Sequence, residues 1–568
     1  MIKVRLFYCC LAVLLFACNS DVKNLETTNN EIEEKVESID FISSKIDSCL
    51  TNIQLTFEYR LPEERFNIYE EDLYSSKLLP KVYVENNFYP LWLKSSNDLV
   101  RLDSFLKYIE QLEYHGFNPS DYHLDALKAI RSELTAESSS PYLIAAIDIL
   151  ASDAFLLIAS HLYNGKINPE SLKTEWGIQR QRPELALDEK LCKIVYSDSI
   201  HEFMELFYPK NRYYTNVVEE VKFLKDNITQ EEKIQIPSNR LTLDVDQDST
   251  YNYEIAKRLE ELGYLQRDTS FYEDSLTHLL DGIKKLQTSF GLIPDGRVGL
   301  NTLEAMNLSK EEKLKKLLVN LERMRWLPEE KTARRVLVNI ADFTLDFMED
   351  EDTIIHMRTV VGRDFRQTPV FEAKMTYLVF SPTWTIPPGI LRNDVLPAVA
   401  KDMAYLAKNN MVVLDRSGKK IDANSIDWKK ARTGNFPYMI RQMPGDNNAL
   451  GRVKFMFPNK FNVYLHDTPS KNLFDRDNRT FSSGCIRVEQ PTELAFHLLQ
   501  DTVNWNYPTI RQNMGLKNER TVVLKNPVGV YIYYLTAWGS KEGVYYRKDI
   551  YSRDEELYLA LTKQNKKV

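Results

Sequence analysis

Cysteine is scarce in this chain. It has six in 568 residues, two of which, Cys9 and Cys10, lie in an apolar N-terminal run. No CxxC pair and no histidine-rich cluster occurs, so a zinc site is not expected. A cationic excess is lacking too. The formal net charge is −8, which leaves no basic footprint for nucleic acid. With 43% hydrophobic and 27% charged residues the composition is that of a globular protein, neither disordered nor multi-spanning. At 568 residues the chain exceeds what one core can organise, and three or four domains are expected.

The N-terminus has the pattern of an export signal. Lys3 and Arg5 form a basic start, and Leu6 to Phe16 form an apolar stretch too short to span a membrane as a mature helix. Leu15-Phe16-Ala17-Cys18 resembles the bacterial lipoprotein signal, which is cleaved before a cysteine that becomes lipidated. Residues 1–17 are therefore expected to be a signal peptide and Cys18 a lipidated first residue. Asn19 in place of a retaining aspartate favours an outer-membrane anchor with a periplasmic body. Residues 18–40 are rich in Asn, Thr and Glu, and predict a flexible tether. Cys49, Cys192 and Cys485 remain as candidate free thiols. An exported compartment permits disulfides, so a Cys49–Cys192 bridge stays open.

Residues 41–235 read as a helical scaffold. Leu102, Phe105, Leu106, Ile109 and Leu112 recur at helical spacing before Gly116. Tyr142 to Tyr163 is apolar nearly all round, but Asp148, Asp153 and His161 interrupt it. An Asp at mid-membrane costs about 2.5–3.5 kcal/mol, so a buried central helix of a soluble bundle is expected. A second unit, 240–308, carries Leu259 to Tyr264 as a helix end with a glycine stop at Gly263, a helical stripe Ile283, Leu286 and Phe290, and a tight turn at Asp295-Gly296. Asn301 or Thr302 is placed to cap the next helix. This pattern resembles the small three-helix peptidoglycan-binding domain.

From 333 the period changes to alternation, with Val336, Val338 and Ile340, then Leu345 and Phe347, then Tyr377 to Phe380. A β-rich domain over 333–538 is expected. It includes an insertion of about 386–444, with Pro387-Pro388 and Trp428, that reads as a cap. Val528 to Tyr534 predicts a closing strand, and 539–568 a C-terminal extension. The fold class is thus multidomain α+β.

Chemistry concentrates in Tyr464-Leu465-His466-Asp467-Thr468-Pro469 and Ser482-Ser483-Gly484-Cys485-Ile486-Arg487-Val488, which places a cysteine nineteen residues after a histidine. A thiol is mostly protonated at neutral pH, so a nucleophilic cysteine needs a base or an imidazolium partner, and His466 can be either. Phe461 to His466 alternates as a strand, which puts Tyr464 and His466 on one face and Asp467 away from them. A backbone carbonyl is then the expected orienting group for the imidazole. Gly484 permits a tight turn, so the Gly484 and Cys485 amides are candidate oxyanion donors, worth about 3–4 kcal/mol each. A lone His–Cys pair at this spacing is weak evidence, because a core His and an inert Cys are the ordinary case.

The surrounding segments add weight. Val360-Val361-Gly362-Arg363, Thr368-Pro369, Phe380-Ser381-Pro382-Thr383-Trp384, Pro444-Gly445 and Asn448-Ala449-Leu450-Gly451 precede the His–Cys segments. In this order they resemble the L,D-transpeptidase catalytic (YkuD-type) family, and with the upstream units the long YcbB-like branch of murein enzymes. The resemblance implies a cofactor-free acyl transfer. Cys485 would attack the bond between diaminopimelate and the terminal D-alanine of a tetrapeptide stem, and His466 would act as base. A second stem's amine would resolve the thioester into a 3→3 cross-link. Many members have a second His before the Gly, where this chain has Ser483. Arg487, Trp384, Tyr464, Ser483 and Arg479 are candidate substrate contacts, Phe474 a candidate gate and Arg441 a candidate for an anionic stem. Two alternatives stay open: an L,D-carboxypeptidase, and a catalytically silent peptidoglycan-binding lipoprotein.

Overall fold

The computed structural model describes residues 40–563, apart from 59–66, 174–175, 179–184, 198, 212, 228–235, 237–248, 267–274, 329–332 and 435. The expected signal peptide, Cys18 and the tether up to residue 39 lie outside the described residues.

The N-terminal region is a helical assembly around α1, Pro141–Asn164. Its start is set by Pro141 at the first helical position and by Ser140, whose Oγ accepts from Leu143 N at 3.2 Å. By length and composition α1 is able to cross a membrane, yet 83% of its apolar window is buried inside the protein. Two carboxylates explain why it belongs there. Asp148 accepts from the Leu91, Trp92 and Leu93 amides at 2.7–3.0 Å and from Tyr83 Oη at 2.6 Å. Asp153 accepts from the Tyr74 and Ser75 amides and from His123 Nε2 at 2.9 Å. Each organises a loop that wraps the helix, which offsets the cost of burying the charge. Cys49 and Cys192 both belong to this region and are free thiols, not a bridge.

Three helices follow, α2 (Ser249–Glu261), α3 (Ser275–Ser289) and α4 (Leu300–Met306). Gly263 takes φ +78°, and Tyr264 N reaches back to Leu259 O at 2.8 Å, closing α2. Gln287 holds the Asp295-Gly296 turn, accepting from Gly296 N at 2.9 Å and donating to Asp295 Oδ1 at 2.9 Å. The cap of α4 is Gly299 rather than Asn301 or Thr302, because the Thr302 hydroxyl is spent on Arg297 O at 3.2 Å. Helix α5, Lys310–Trp326, starts with a capping box of Ser309 and Glu312 and then runs between the helical region and the β-rich unit.

The β-rich unit contains β1 (Arg334–Asn339), β2 (Thr344–Glu349), β3 (Asp352–Gly362) and β4 (Val370–Phe380). The inserted segment supplies β5 (Trp384–Thr385), β6 (Met411–Leu414), β7 (Lys420–Ile421) and β8 (Met439–Gln442). Then come β9 (Val453–Met456), β10 (Leu465–His466), β11 (Thr480–Ser482), β12 (Ile486–Val488) and β13 (Arg520–Tyr533). The order β9-β10-β12-β3-β2-β1-β13-β4 closes on itself, since β4 also pairs with β9. Closure removes free edges. Val336, Val338, Leu345, Phe347, Leu465 and Ile486 fill the interior. Strands β5 to β8 form a separate sheet over its own small core of Ile386, Val395, Leu396, Val399, Val413 and Ile440, so the insertion folds as a subdomain. A hairpin, β14 (Ala537–Ser540) and β15 (Gly543–Tyr546), and helix α6 (Asp554–Thr562) complete the chain. A boundary at 538 would cut through that hairpin. The closing strand is expected from 528 but begins at Arg520, and it lies inside the sheet, parallel to β1.

Candidate active site

Register assembles the site. Strands β10 and β12 run parallel, with Leu465 opposite Ile486 and His466 opposite Arg487. On the other side of β10, Lys454 of β9 lies opposite His466. Paired residues share a face, so with Leu465 and Ile486 in the core, Lys454, His466 and Arg487 occupy the outer face. Tyr464 and Cys485, one step before these pairs, are joined through Ile486 N to Tyr464 O at 3.1 Å. The Tyr464 and His466 rings meet edge to face at 5.8 Å.

The strand carrying His466 is shorter than the alternation predicts. Asn459 ties Phe457 O and Val463 O with its amide and accepts from the Phe461 and Val463 amides, making a turn. Asn462 takes φ +55° in that turn, and its carbonyl meets Cys485 Sγ at 3.8 Å. Only Leu465 and His466 remain as strand.

His466 is buried, and its Nδ1 lies 2.6 Å from the Asp467 carbonyl. A carbonyl can only accept, so Nδ1 carries the hydrogen and Nε2 the free lone pair. Burial, and then the Arg487 charge, pull the imidazole down to about 3 against the pull of the Asp467 carbonyl. At neutral pH His466 is therefore an uncharged base, not the cationic half of an ion pair. The Asp467 carboxylate is engaged elsewhere, accepting from Arg452 N at 2.8 Å and Lys471 Nζ at 2.7 Å. Cys485 is half-buried, and burial pushes its thiol above the usual range. The Tyr464 amide and phenol, together with Arg487, pull the other way. The Trp384 indole in turn donates toward the Tyr464 phenol. Trp384 thus sits beside Tyr464, and Tyr464 beside the sulfur.

The Ser482–Cys485 loop is locked from behind. Gly484 adopts φ +108°, and its carbonyl accepts from Thr368 Oγ1 at 2.9 Å. The same hydroxyl accepts from Gly362 N at 2.9 Å. Gly484 N donates to Ser482 Oγ at 3.1 Å, so it is already engaged and is not the free oxyanion donor expected. Of the two candidate amides, that of Cys485 is left. Ser483 is exposed and its Oγ accepts from Arg366 Nη1 at 3.0 Å, while the same nitrogen meets Asp394 of the inserted subdomain at 3.1 Å. Among the described residues Arg487 Nε is buried without a hydrogen-bond partner, and burial and the neighbouring Arg363 charge lower its pKa.

Arg479 and Phe474 fall elsewhere, while Arg441 lies near Lys454. Arg479 binds the Arg476, Asp342 and Phe343 carbonyls and stacks on Phe343, lining a different cavity. Phe474 is buried against Lys471 in the wall of that same cavity and gates nothing at the thiol. Arg441 bonds Thr385 Oγ1 at 2.9 Å, bracing the root of the inserted subdomain. Sequence reasoning missed Thr368, Arg366, Asp394, Asn462 and Lys454. Thr368-Pro369 and the Asn-rich Phe457 to Asn462 turn are visible signals, whereas Arg366, Asp394 and Lys454 reach the site only through tertiary pairing.

Comparison with known proteins matches three stretches. Residues 77–220 match the "Scaffold domain", 253–306 the "Putative peptidoglycan binding domain" and 333–523 the "L,D-transpeptidase catalytic domain". A Haemophilus influenzae protein named "Putative L,D-transpeptidase" is 36% identical over 255 residues, 44% of this chain and 51% of that protein. The match thus spans about half the length of that relative. The crystal structure of Mycobacterium tuberculosis L,D-transpeptidase 1 aligns with 35% of this chain and 61% of its own, at 13% identity and a TM-score of 0.14. The chain therefore carries an L,D-transpeptidase catalytic domain of the YkuD family at 333–523, with a peptidoglycan-binding domain ahead of it at 253–306.

Proposed function

We propose that the chain is a murein L,D-transpeptidase that forms 3→3 cross-links through a thioester on Cys485. The observation that carries this reading is the shared outer face of β10 and β12, where a neutral, oriented His466 and a half-buried Cys485 thiol stand beside an unpaired guanidinium. In the first step the sulfur bonds to the carbonyl carbon of the donor stem's diaminopimelate residue. The thiol proton passes by way of His466 Nε2 to the departing D-alanine nitrogen, and the C–N bond breaks. In the second step the side-chain amine of an acceptor stem attacks the thioester, its proton returns through His466 to the sulfur, and an amide replaces the thioester. The Cys485 amide supports the transient oxyanion. Arg487, which pairs with no carboxylate among the described residues, supplies positive charge for a stem carboxylate. Lys454 and Tyr464 flank the same face.

We further propose that Cys18 is lipidated and that the body lies in the periplasm, anchored to the outer membrane. The Leu15 to Cys18 pattern and the wall-directed domains support this placement.

A carbapenem adduct mapped to Cys485 by peptide mass, and absent from Cys485→Ala, is the expected result. No adduct on the wild-type protein would overturn the enzymatic reading and leave a silent wall-binding protein. Incubation with disaccharide tetrapeptide should yield a cross-linked dimer with release of D-alanine. Tripeptide monomer as the sole product would make the protein an L,D-carboxypeptidase.

A further inference from the structure

A second cavity, separate from the Cys485 face, opens where three parts of the molecule meet. Its volume is about 1060 Å³. One wall is the α3 end and the Gly291–Pro294 turn of the peptidoglycan-binding domain, a second is the outer side of β2 and β3, and a third is the β14–β15 hairpin. Its floor includes residues 474–479, inside the segment that joins His466 to Cys485.

The lining mixes aromatic and aliphatic groups with polar ones. Trp538 and Tyr545 stand as a cross-strand pair, half-buried, with ring centroids 5.6 Å apart. Around them are hydrogen-bonding groups, among them Asp346, whose Oδ1 meets the exposed His356 at 2.6 Å. Flat aromatic faces next to carboxylates, guanidinium groups and hydroxyls suit pyranose rings, whose C–H faces stack while their hydroxyls bond. Arg547 lines the cavity, bonding Ser289 O at 2.8 Å, pairing with Asp342 and lying over one side of Trp538 and Tyr545 at 4.8 and 5.5 Å.

We propose that this cavity binds the glycan strand of murein, holding it so that an attached stem peptide reaches Cys485. The proposal rests on the transpeptidase reading for the identity of the polymer. Its floor residues 474–479 belong to the segment that leads directly into Cys485, so the cavity and the thiol share one stretch of chain.

The test measures binding of the processed full chain to peptide-free glycan chains, released from sacculi by an amidase that cuts the stems away. Trp538→Ala removes one stacking face, and His356→Trp fills the cavity from an exposed strand position. Each should weaken binding about tenfold, the loss of one aromatic contact, while Cys485→Ala binds as the wild type does. Unchanged affinity in both variants would overturn the proposal and assign the strand to the outer surface of the three-helix domain. Weakening by Trp538→Ala alone would also overturn it, because it would report hairpin damage and not occupancy. Carbapenem acylation of the same samples keeps the two readings apart. An adduct with unaltered glycan affinity sinks the cavity alone, whereas no adduct on the wild type sinks the enzyme.

Discussion

His466 and Cys485 start from uncharged states, and this dictates how the site responds to pH. Burial holds the imidazole near 3 and the thiol above its usual range. A chemistry that depended on a resident thiolate–imidazolium pair would fail here, and general-base removal of the thiol proton fits. Iodoacetamide, which needs thiolate, should react slowly with Cys485 at pH 7 and accelerate about tenfold per pH unit to beyond pH 9. Carbapenem acylation, assisted by His466, should change much less between pH 5 and 8. A plateau in alkylation below pH 7 would show a preformed thiolate and sink this account. His466→Gln should lower the acylation rate by about 10²–10⁴, read from stopped-flow traces of the adduct.

At the level of elements, two devices stand out. The first is α1 with its buried partners. Burial alone would lower the pKa of His123, but Asp153 and Glu71 hold it up at about 9. The folded value lies above the unfolded 6.5, so the contribution is full below pH 6.5 and is lost as pH rises through 9. It amounts to about 3 kcal/mol. Urea titrations at pH 6 and pH 9.5 should show this loss, and His123→Gln should flatten it. An equal pH dependence in both proteins would remove His123 as its cause. The second device is the Ser483–Arg366–Asp394 chain between the Cys485 loop and the inserted subdomain. Asp394 is exposed, so Asp394→Ala should change stability by no more than about 1 kcal/mol. If the contact positions the subdomain over the thiol, turnover of the tetrapeptide substrate should fall severalfold while iodoacetamide alkylation stays unchanged. Equal turnover in the variant would reduce the chain to a surface ion pair.

Across the whole molecule, α5 is the bolt. Arg325 is buried with Glu322 at 2.9 Å, bonds Tyr214 Oη at 2.9 Å and the His115 carbonyl, and lies over Phe117 at 4.2 Å. Glu322 also accepts from Ile167 N at 2.7 Å. On its other side α5 meets the C-terminal segment, Arg323 pairing with Asp554 at 2.6 Å and Asn320 bonding Thr536. Removing one partner of a buried pair leaves the other charge uncompensated, so Arg325→Met should cost about 3–5 kcal/mol. Calorimetry should then resolve the helical region melting ahead of the catalytic barrel. A single unshifted transition would show that α5 does not couple them.

Cys485 and His466 were legible because both their identities and the small-residue loop are local. The helical region, the three-helix unit and the change to alternation at 333 were legible for the same reason, since periodicity records which side of each element meets the core. Local pattern also misled. Alternation over Phe461 to His466 promised a strand, but Asn459 diverts the backbone into a turn and so brings the Asn462 carbonyl to the sulfur. Arg479 and Phe474 lie between His466 and Cys485 in sequence, yet the loop carries them to another cavity. Sequence by itself therefore determined the chemistry available, a scarce thiol and a histidine in short strands, and the order of the units. Tertiary structure decided which groups surround that thiol and histidine. It gave the Gly484 amide to Ser482, set Lys454, His466 and Arg487 in one row by register, and brought Arg366 and Asp394 to Ser483. The physical reason is that strand register and buried charge pairing act between residues far apart in the chain, where no local pattern records them.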